Sequence, residues 1–424
     1  MAPSMVLSPL IEPYYSKSIE RKYQLRFGTG RFRHEAPQPR GAKIEYLPNW
    51  NEFIARRARR LLAGGVEAEV PEGWPARLSG RMAWKGQDFD GEDEFAYRLS
   101  EQEKVEIDEA LKHFKDQELD GDEVSQKNFP LPTFAPHLAR ICEEIYTGRG
   151  AMTIRGLDVN KYTPADLVVV FLGISSYIAE KRGLQDRDCN MIKHIIDTEK
   201  EESQVELPLH TDVTCDVLAT LTQKCSTRGG EGTIASSWTI YNELAATRPD
   251  LIHVLAKPDW PHDTFGRNPP YYNRALLYHA DGKVILNFSR RLLTGHTTLE
   301  PRSPNIPNLT EAQAEALDAV HFIAVEKQKK LPMEEGDIRF INNMGLVHGR
   351  DAFFDHDGSE LSKRHLLRLW LHNEEKIWKL PPALQLIWDR VFADDERVGR
   401  WEPEPPTPEP RPDGPGPRSP SPCD

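Results

Sequence analysis

Three side chains stand out for the chemistry they could do together. His210 and Asp212 flank Thr211 at the entrance to a β-prone run, and His348 lies far downstream. In an extended strand, residues two apart point to the same face, so His210 and Asp212 could bind one ion together. A third ligand from a distant strand would complete a face of two histidines and one carboxylate, leaving three coordination positions open. That donor set suits Fe(II), which must accept a co-substrate and O2 at once. Taken alone the triplet is weak, because a chain with 14 histidines offers many such coincidences, a surface histidine beside a capping aspartate being the commonest.

A second signal lies downstream, in Lys363-Arg364-His365-Leu366-Leu367-Arg368. Arg364 and Arg368, four apart on one strand, share a face, which is inward if the leucines and Trp370 pack around them. A buried guanidinium needs an anion, and a dicarboxylate co-substrate would supply one through a bidentate pair. Pairing with surface acids is the alternative, and it fits so apolar a strand less well. Strand alternation puts His365 on the opposite face.

The elements that must hold these residues can also be read. Ser100 with Glu103 forms a capping box ahead of a helix, and Leu138, Ile141, Cys142 and Ile145 recur at helical spacing up to Gly148. AMTIRGL (residues 151–157) reads as a strand. Thr163, Pro164 and Asp166 start another helix. Beyond Asp188 short β-rich runs dominate: DVLATLTQ, TIASSWTIY, ALLYHADGKVILNFS, GDIRFINN and HLLRLWLH. Asp281-Gly282 marks a hairpin. Two helices interrupt, one over about 241–256 and one capped by Thr310 with Gln313 and running to Lys330. Many short strands with helical insertions predict a sandwich or barrel wrapped by helices.

Composition narrows the function. The chain has 424 residues, 54 Lys plus Arg and 66 Asp plus Glu, a net charge of −12 that argues against a general nucleic-acid binder. The longest apolar run, LVVVFL at residues 167–172, falls far short of the roughly 20 residues of a spanning helix, so no membrane partner is expected. Five scattered cysteines without a CxxC pair read as reduced intracellular thiols. No secretory signal is evident, and a cytoplasmic location is expected. The twelve basic residues against four Glu over residues 17–60 leave a mitochondrial presequence as the alternative. Residues 1–75 read as an N-terminal extension, partly ordered at best, and 76–400 as the catalytic domain. A Pro-rich tail follows over 401–424, with ten prolines among its last 22 residues, and is expected to be disordered.

The stretches LPLHTDVTCDVLATLTQ, GGEGTIASSWTIYNELAATRPDLIH, GDIRFINNMGLVHGRDAF and KRHLLRLWL occur in consistent order, with GRGAMTIRGLD and LGISSYIAEKRG upstream. Over about residues 80–395 the chain resembles the TauD/TfdA-like (clavaminate-synthase-like) Fe(II)/2-oxoglutarate dioxygenases, especially their fungal members. The resemblance implies a mainly β protein with flanking helices (α+β), built on a double-stranded β-helix or jelly-roll core. It assigns iron to His210, Asp212 and His348, and the far carboxylate of 2-oxoglutarate to Arg364. Arg368 matches an arginine that faces an anionic substrate in sulfonate-acting relatives. Relatives also place a Thr or Ser soon after the Gly-Gly-acid motif to help hold that carboxylate. Here Gly229-Gly230-Glu231 is followed by Gly232 and then Thr233, so Thr233 could serve only with the strand shifted by one.

The implied activity is oxidation of an unactivated C–H bond in a small organic substrate, using O2 and releasing succinate and CO2. Asp212 leaves no ligand position vacant for halide, which disfavours halogenation, while desaturation and ring closure stay open. Two other readings also stay open: an inactive jelly-roll scaffold, and a zinc hydrolase on the same triad that would have no need of Arg364. A sulfonate, a carboxylated ether, an amino-acid derivative or a secondary metabolite would all fit as substrate.

Overall fold

A computed structural model describes residues 16–23, 41–186, 188–196, 204–265, 270–296, 301–304, 306–355 and 363–405. Two sheets face one another. The larger runs β1 (Ala96–Arg98), β2 (Ala151–Arg155), β14 (Ile338–Asn342), β6 (Val217–Lys224), β17 (His365–His372) and β3 (Lys181–Arg182), with β4 (Ile192–Ile196) also on β17. The smaller runs β13 (Lys329–Leu331), β8 (Gly232–Ser236), β15 (Leu346–Arg350) and β5 (Leu207–His210). Two hairpins flank them: β9 (Trp260–Asp263) with β10 (Tyr271–Arg274), and β11 (Leu277–Ala280) with β12 (Lys283–Leu286). Strand pair β7 (Arg228–Gly229) and β16 (Phe353–Phe354) closes one end.

Period-two alternation sorts the strand side chains into three apolar layers. From the larger sheet, Val217, Ala219, Leu221, Ile338, Phe340, Leu367 and Leu369 point outward. They pack under α3 (Glu101–Lys115), α4 (Ala135–Thr147) and α5 (Pro164–Ser176). From the smaller sheet, Leu209, Ala235 and Val347 point outward. They meet α2 (Trp50–Ala63), α6 (Ser237–Thr247), α7 (Pro249–Ala256) and α9 (Glu311–Lys327). Leu218, Ile234, Ile341, Leu346 and Trp370 fill the space between the sheets with Met82, Trp84 and Trp378. This is a helix-wrapped sandwich, as the strand pattern predicts, with the jelly-roll core that the family resemblance implies.

The helix starts fall where the caps put them. Ser100 and Glu103 cap α3 reciprocally, Thr163 accepts from Asp166 N–H, and Thr310 with Gln313 caps α9. Asp281 and Gly282 adopt φ of 47° and 72° in the hairpin turn. Two boundaries differ. TIASSWTIY is not one strand: Ser236 ends β8 and caps α6 through Thr239 N–H, and Pro249 divides the following helix in two. The helix expected to reach Lys330 stops at Lys327, because residues 329–331 pair with β8.

The segment from 41 to 75 covers the smaller sheet's helices. Arg56 of α2 is buried and bonds Asp318 of α9 at 2.9 Å, and Trp50 and Phe53 pack on Phe322. At the other end, Trp401 lies over Gly121 and donates to Asp120. The rest of the Pro-rich tail from 406 onward lies outside the described residues. No helix among the described residues is long and apolar enough to cross a membrane. Cys142, Cys215 and Cys225 are free thiols.

Candidate active site

His210, the last residue of β5, is paired across the ladder with His348 of β15. Directly opposed residues share a face, so the rings meet, their centroids 4.4 Å apart. Asp212 lies beyond the end of β5, not within a strand as the two-residue spacing suggested. Its loop is held by Asn343, whose Oδ1 accepts the Asp212 N–H at 2.8 Å and whose Nδ2 donates to the carbonyls of Asp212 and Cys215 at 2.9 and 3.1 Å. One ligand atom from each of His210, Asp212 and His348 can be chosen so that all lie within 4.8 Å of one another.

The two oxygens of Asp212 have separate roles. Oδ2 accepts from Arg368 Nη1 at 2.9 Å and from the Trp370 indole N–H at 2.5 Å. Oδ1 is buried with no hydrogen-bond donor and sits 3.7 Å from His210 Nε2 and 3.5 Å from His348 Nε2. A buried carboxylate oxygen without a donor is costly unless a cation completes it. His210 Nδ1 faces the Pro208 carbonyl at 2.9 Å, and a carbonyl can only accept. That nitrogen therefore carries the proton and Nε2 keeps its lone pair for a metal. Burial and the neighbouring His210 push His348 down to about 4, so it is neutral at neutral pH. Burial works to raise the Asp212 carboxyl, but Arg368 and the two histidines hold it well below the usual carboxylate range. Two imidazoles and one carboxylate fit a divalent iron.

The triad opens into a cavity between the sheets, lined also by Arg339, Arg350, Arg364 and Arg368. Arg364 is only 7% exposed, yet its Nε has no partner and none of its guanidinium nitrogens meets an acid within ion-pair distance among the described residues. Its backbone N–H is fixed by Asp355 Oδ2 at 2.9 Å, and its guanidinium lies 5.5 Å from the Phe353 ring centroid. Burial and the nearby Arg350 push its pKa down to about 9, which leaves it charged at neutral pH. The close approach that frames it depends on Gly229 and Gly230, with φ of 75° and 77°. A Cβ on Gly229 would stand 2.3 Å from the Ala352 carbonyl oxygen.

Arg368, expected to face a substrate anion, also lines the cavity, but it is bound to Asp212 and, through Nε, to Gln185 Oε1 at 2.8 Å. Gln185 Nε2 in turn donates to the Arg368 carbonyl at 2.9 Å. Thr233 runs along the cavity wall, but the register pairs Ile234 with His348 and Thr233 with Gly349. Its hydroxyl therefore points to the other face of the sheet, 3.0 Å from where a Cβ on Gly349 would be. His365 meets His194, ring nitrogen to ring nitrogen at 2.9 Å, on the face away from the cavity. Trp260 is fully buried and donates to the Val254 carbonyl, so it is a core residue. Trp370, Gln185 and Asn343 were not identified as supports of Asp212, since nothing in their spacing pointed to it. Beside His210 a smaller recess is lined by Tyr46 and His296, whose ring centroids lie 4.4 Å apart, together with Arg291.

Residues 115–370 match the family described as taurine catabolism dioxygenase TauD, TfdA family. The chain is 35% identical over 361 residues to the taurine hydroxylase-like protein SAT17 of Stachybotrys chartarum, covering 80% of this chain and 93% of that one. It is 28% identical to the FR-33289 synthase of Streptomyces rubellomurinus, covering 70% and 91%. Among solved structures, an asparagine oxygenase in complex with Fe(II), 3-hydroxyasparagine and succinate superposes with a TM-score of 0.51 at 16% identity, over 65% of this chain and 93% of that chain, a likeness of fold. The chain belongs to the TauD/TfdA family and is an Fe(II)- and 2-oxoglutarate-dependent oxygenase.

Proposed function

We propose that His210, Asp212 and His348 hold the iron, that Arg364 grips the far carboxylate of 2-oxoglutarate, and that the enzyme oxidises an unactivated C–H bond of a small organic substrate with release of succinate and CO2. The observation that carries this reading is the pairing of two unmet needs in one cavity. Asp212 Oδ1 lacks a donor beside two histidine nitrogens, and the buried Arg364 guanidinium lacks an acid. A metal ion answers the first and the far end of a dicarboxylate answers the second.

When bound, iron supplies the activation of O2 that no side chain of this protein can provide. The protein's own part is orientation. Arg368 and Trp370 fix Asp212 Oδ2, so that Oδ1 is the oxygen that would be offered to a metal. Asn343 keeps the Asp212 loop in place. Arg364 lies just before β17, four residues or roughly 13 Å of extended chain from Arg368, at 3.3 Å per residue. A 2-oxo dicarboxylate is an extended molecule suited to such a pair of anchors. With Arg368 neutralised by Asp212, it acts as a positioning residue for the metal carboxylate, and an anionic substrate would need another cation. The name of the relative SAT17 supports hydroxylation as the outcome.

An inactive scaffold is disfavoured by the open cavity, and a zinc hydrolase by the unpaired Arg364 within it. Anaerobic titration with Fe(II) and then 2-oxoglutarate tests the reading. A weak visible charge-transfer band is expected, followed, with O2 and a screen of candidate substrates, by succinate formation above the uncoupled background. Absence of the band with both components present would overturn it.

A further inference from the structure

The same cavity holds another buried cation to which the reading above gives no task. Arg339 projects from β14 between the sheets and is 7% exposed. Two of its nitrogens are tied down: Nε donates to Thr153 Oγ1 at 3.1 Å and Nη2 to the Pro332 carbonyl at 2.9 Å. The neighbouring acid, Asp337, is already paired with Arg155 at 2.8 Å. Among the described residues no carboxylate lies within ion-pair distance of Arg339, and its charge is close enough to act on Arg364.

Nη1 points at the opposite sheet. A Cβ built on Gly232 of β8 would stand 2.4 Å from Arg339 Nη1, inside any van der Waals contact. Gly232 has an ordinary backbone conformation and needs no glycine for φ. Its missing side chain instead leaves the space into which the guanidinium reaches. Gly232 and Ile234 share a face, the face of His348, so this space belongs to the interior of the sandwich. Thr233, next along the strand, points the other way and cannot fill it.

We propose that Arg339 is a second anchoring cation for the far carboxylate of 2-oxoglutarate, acting with Arg364, and that Gly232 is the residue that makes room for it. The proposal rests on the preceding assignment of a 2-oxo dicarboxylate to this cavity. Two guanidiniums held by the walls and lacking acids of their own form a subsite whose charge matches one carboxylate and exceeds it, which favours dianionic over monoanionic 2-oxo acids. The Thr153 and Pro332 contacts make Arg339 a rigid donor, so little side-chain freedom is lost on binding.

The test is calorimetric titration of the Mn(II)-loaded, full-length protein with 2-oxoglutarate and, separately, with 2-oxopentanoate, which lacks the far carboxylate. Arg339→Ala is expected to weaken 2-oxoglutarate about ten- to a hundredfold, the range for losing a hydrogen bond to a charged group, and to leave 2-oxopentanoate unchanged. Gly232→Ala should weaken 2-oxoglutarate in the same selective way by displacing the guanidinium. Combining the two substitutions should cost little more than Arg339→Ala alone. If Arg339→Ala fails to fold, Gly232→Ala and Arg339→Lys carry the test, the latter expected to retain part of the affinity. Equal weakening of both 2-oxo acids would mean a merely structural role and overturn the proposal, as would unchanged 2-oxoglutarate binding in both single variants. If the wild-type protein bound no 2-oxoglutarate while binding Mn(II), the co-substrate assignment itself would be wrong.

Discussion

The two ends of the cavity treat their charges differently. Around Asp212 the protein supplies partners of its own: Arg368 and Trp370 hold one carboxylate oxygen, Gln185 holds Arg368, and Asn343 holds the loop. Around Arg364 and Arg339 it supplies walls, carbonyls and a threonine, but among the described residues no acid within ion-pair distance of either guanidinium. A buried charge that is paired and hydrogen-bonded is fixed before anything binds, whereas one that is buried without a counter-charge favours whatever anion can reach it. On the functions proposed above, the first end would present a metal ligand in one orientation and the second would recruit a co-substrate by charge.

Changes at the two ends should separate metal loss from co-substrate loss. The largest effect is expected from His210→Ala or His348→Ala, which remove a ligand outright. Turnover should vanish and metal content fall while the melting curve stays close to wild type. Full 2-oxoglutarate decarboxylation with metal retained in either variant would refute the ligand assignment. Next is Arg364→Ala, which leaves the far carboxylate without its partner in a desolvated site, a loss on the order of 2–5 kcal/mol. That corresponds to a roughly 30- to several-thousand-fold weaker Kd for 2-oxoglutarate, read anaerobically from the charge-transfer band.

Arg368→Ala should act at the other end. Freed from its clamp, Asp212 would hold the metal less well, by about ten- to a hundredfold as for other outer supports of a ligand. The 2-oxoglutarate Kd of the fully metal-loaded variant should change little. If Arg368→Ala weakens 2-oxoglutarate more than Arg364→Ala does, the roles given to the two arginines must be exchanged. The smallest effect belongs to Trp370→Phe, which keeps the ring's bulk and removes one hydrogen bond to Oδ2. A loss of about 1 kcal/mol, near fivefold in metal affinity, is expected by equilibrium dialysis. An effect as large as that of Arg368→Ala would show that the indole, rather than the guanidinium, is the main support.

The chain ends offer a second contrast between composition and contact. The basic stretch over 17–60 looks like surface or leader sequence, yet Arg56 within it is buried against Asp318, and Tyr46 reaches the recess beside His210. The face that α2 packs against belongs to α9, more than two hundred residues away, and no local pattern names it. Similarly, SWTIY looks β-prone by residue type, but Ser236 offers a hydroxyl to the Thr239 N–H and the helix follows.

The sequence by itself determined what depends on neighbours along the chain. Caps at Ser100, Thr163 and Thr310, the turn at Asp281-Gly282 and strand alternation in residues 365–371 all follow from local hydrogen bonds and from side chains two apart pointing the same way. The donor types of the triad were legible too, because few side chains can bind a divalent metal. Tertiary structure alone decided which atoms those residues present. The β8–β15 register turned the Thr233 side chain to the other face, the approach of Asn343 placed Asp212 outside a strand, and Arg368 was drawn onto Asp212 at the cavity wall. It also set Arg339 against Gly232, from strands in different sheets. Such contacts form between residues a hundred or more positions apart, where each side chain's partner is set by the packing of whole sheets.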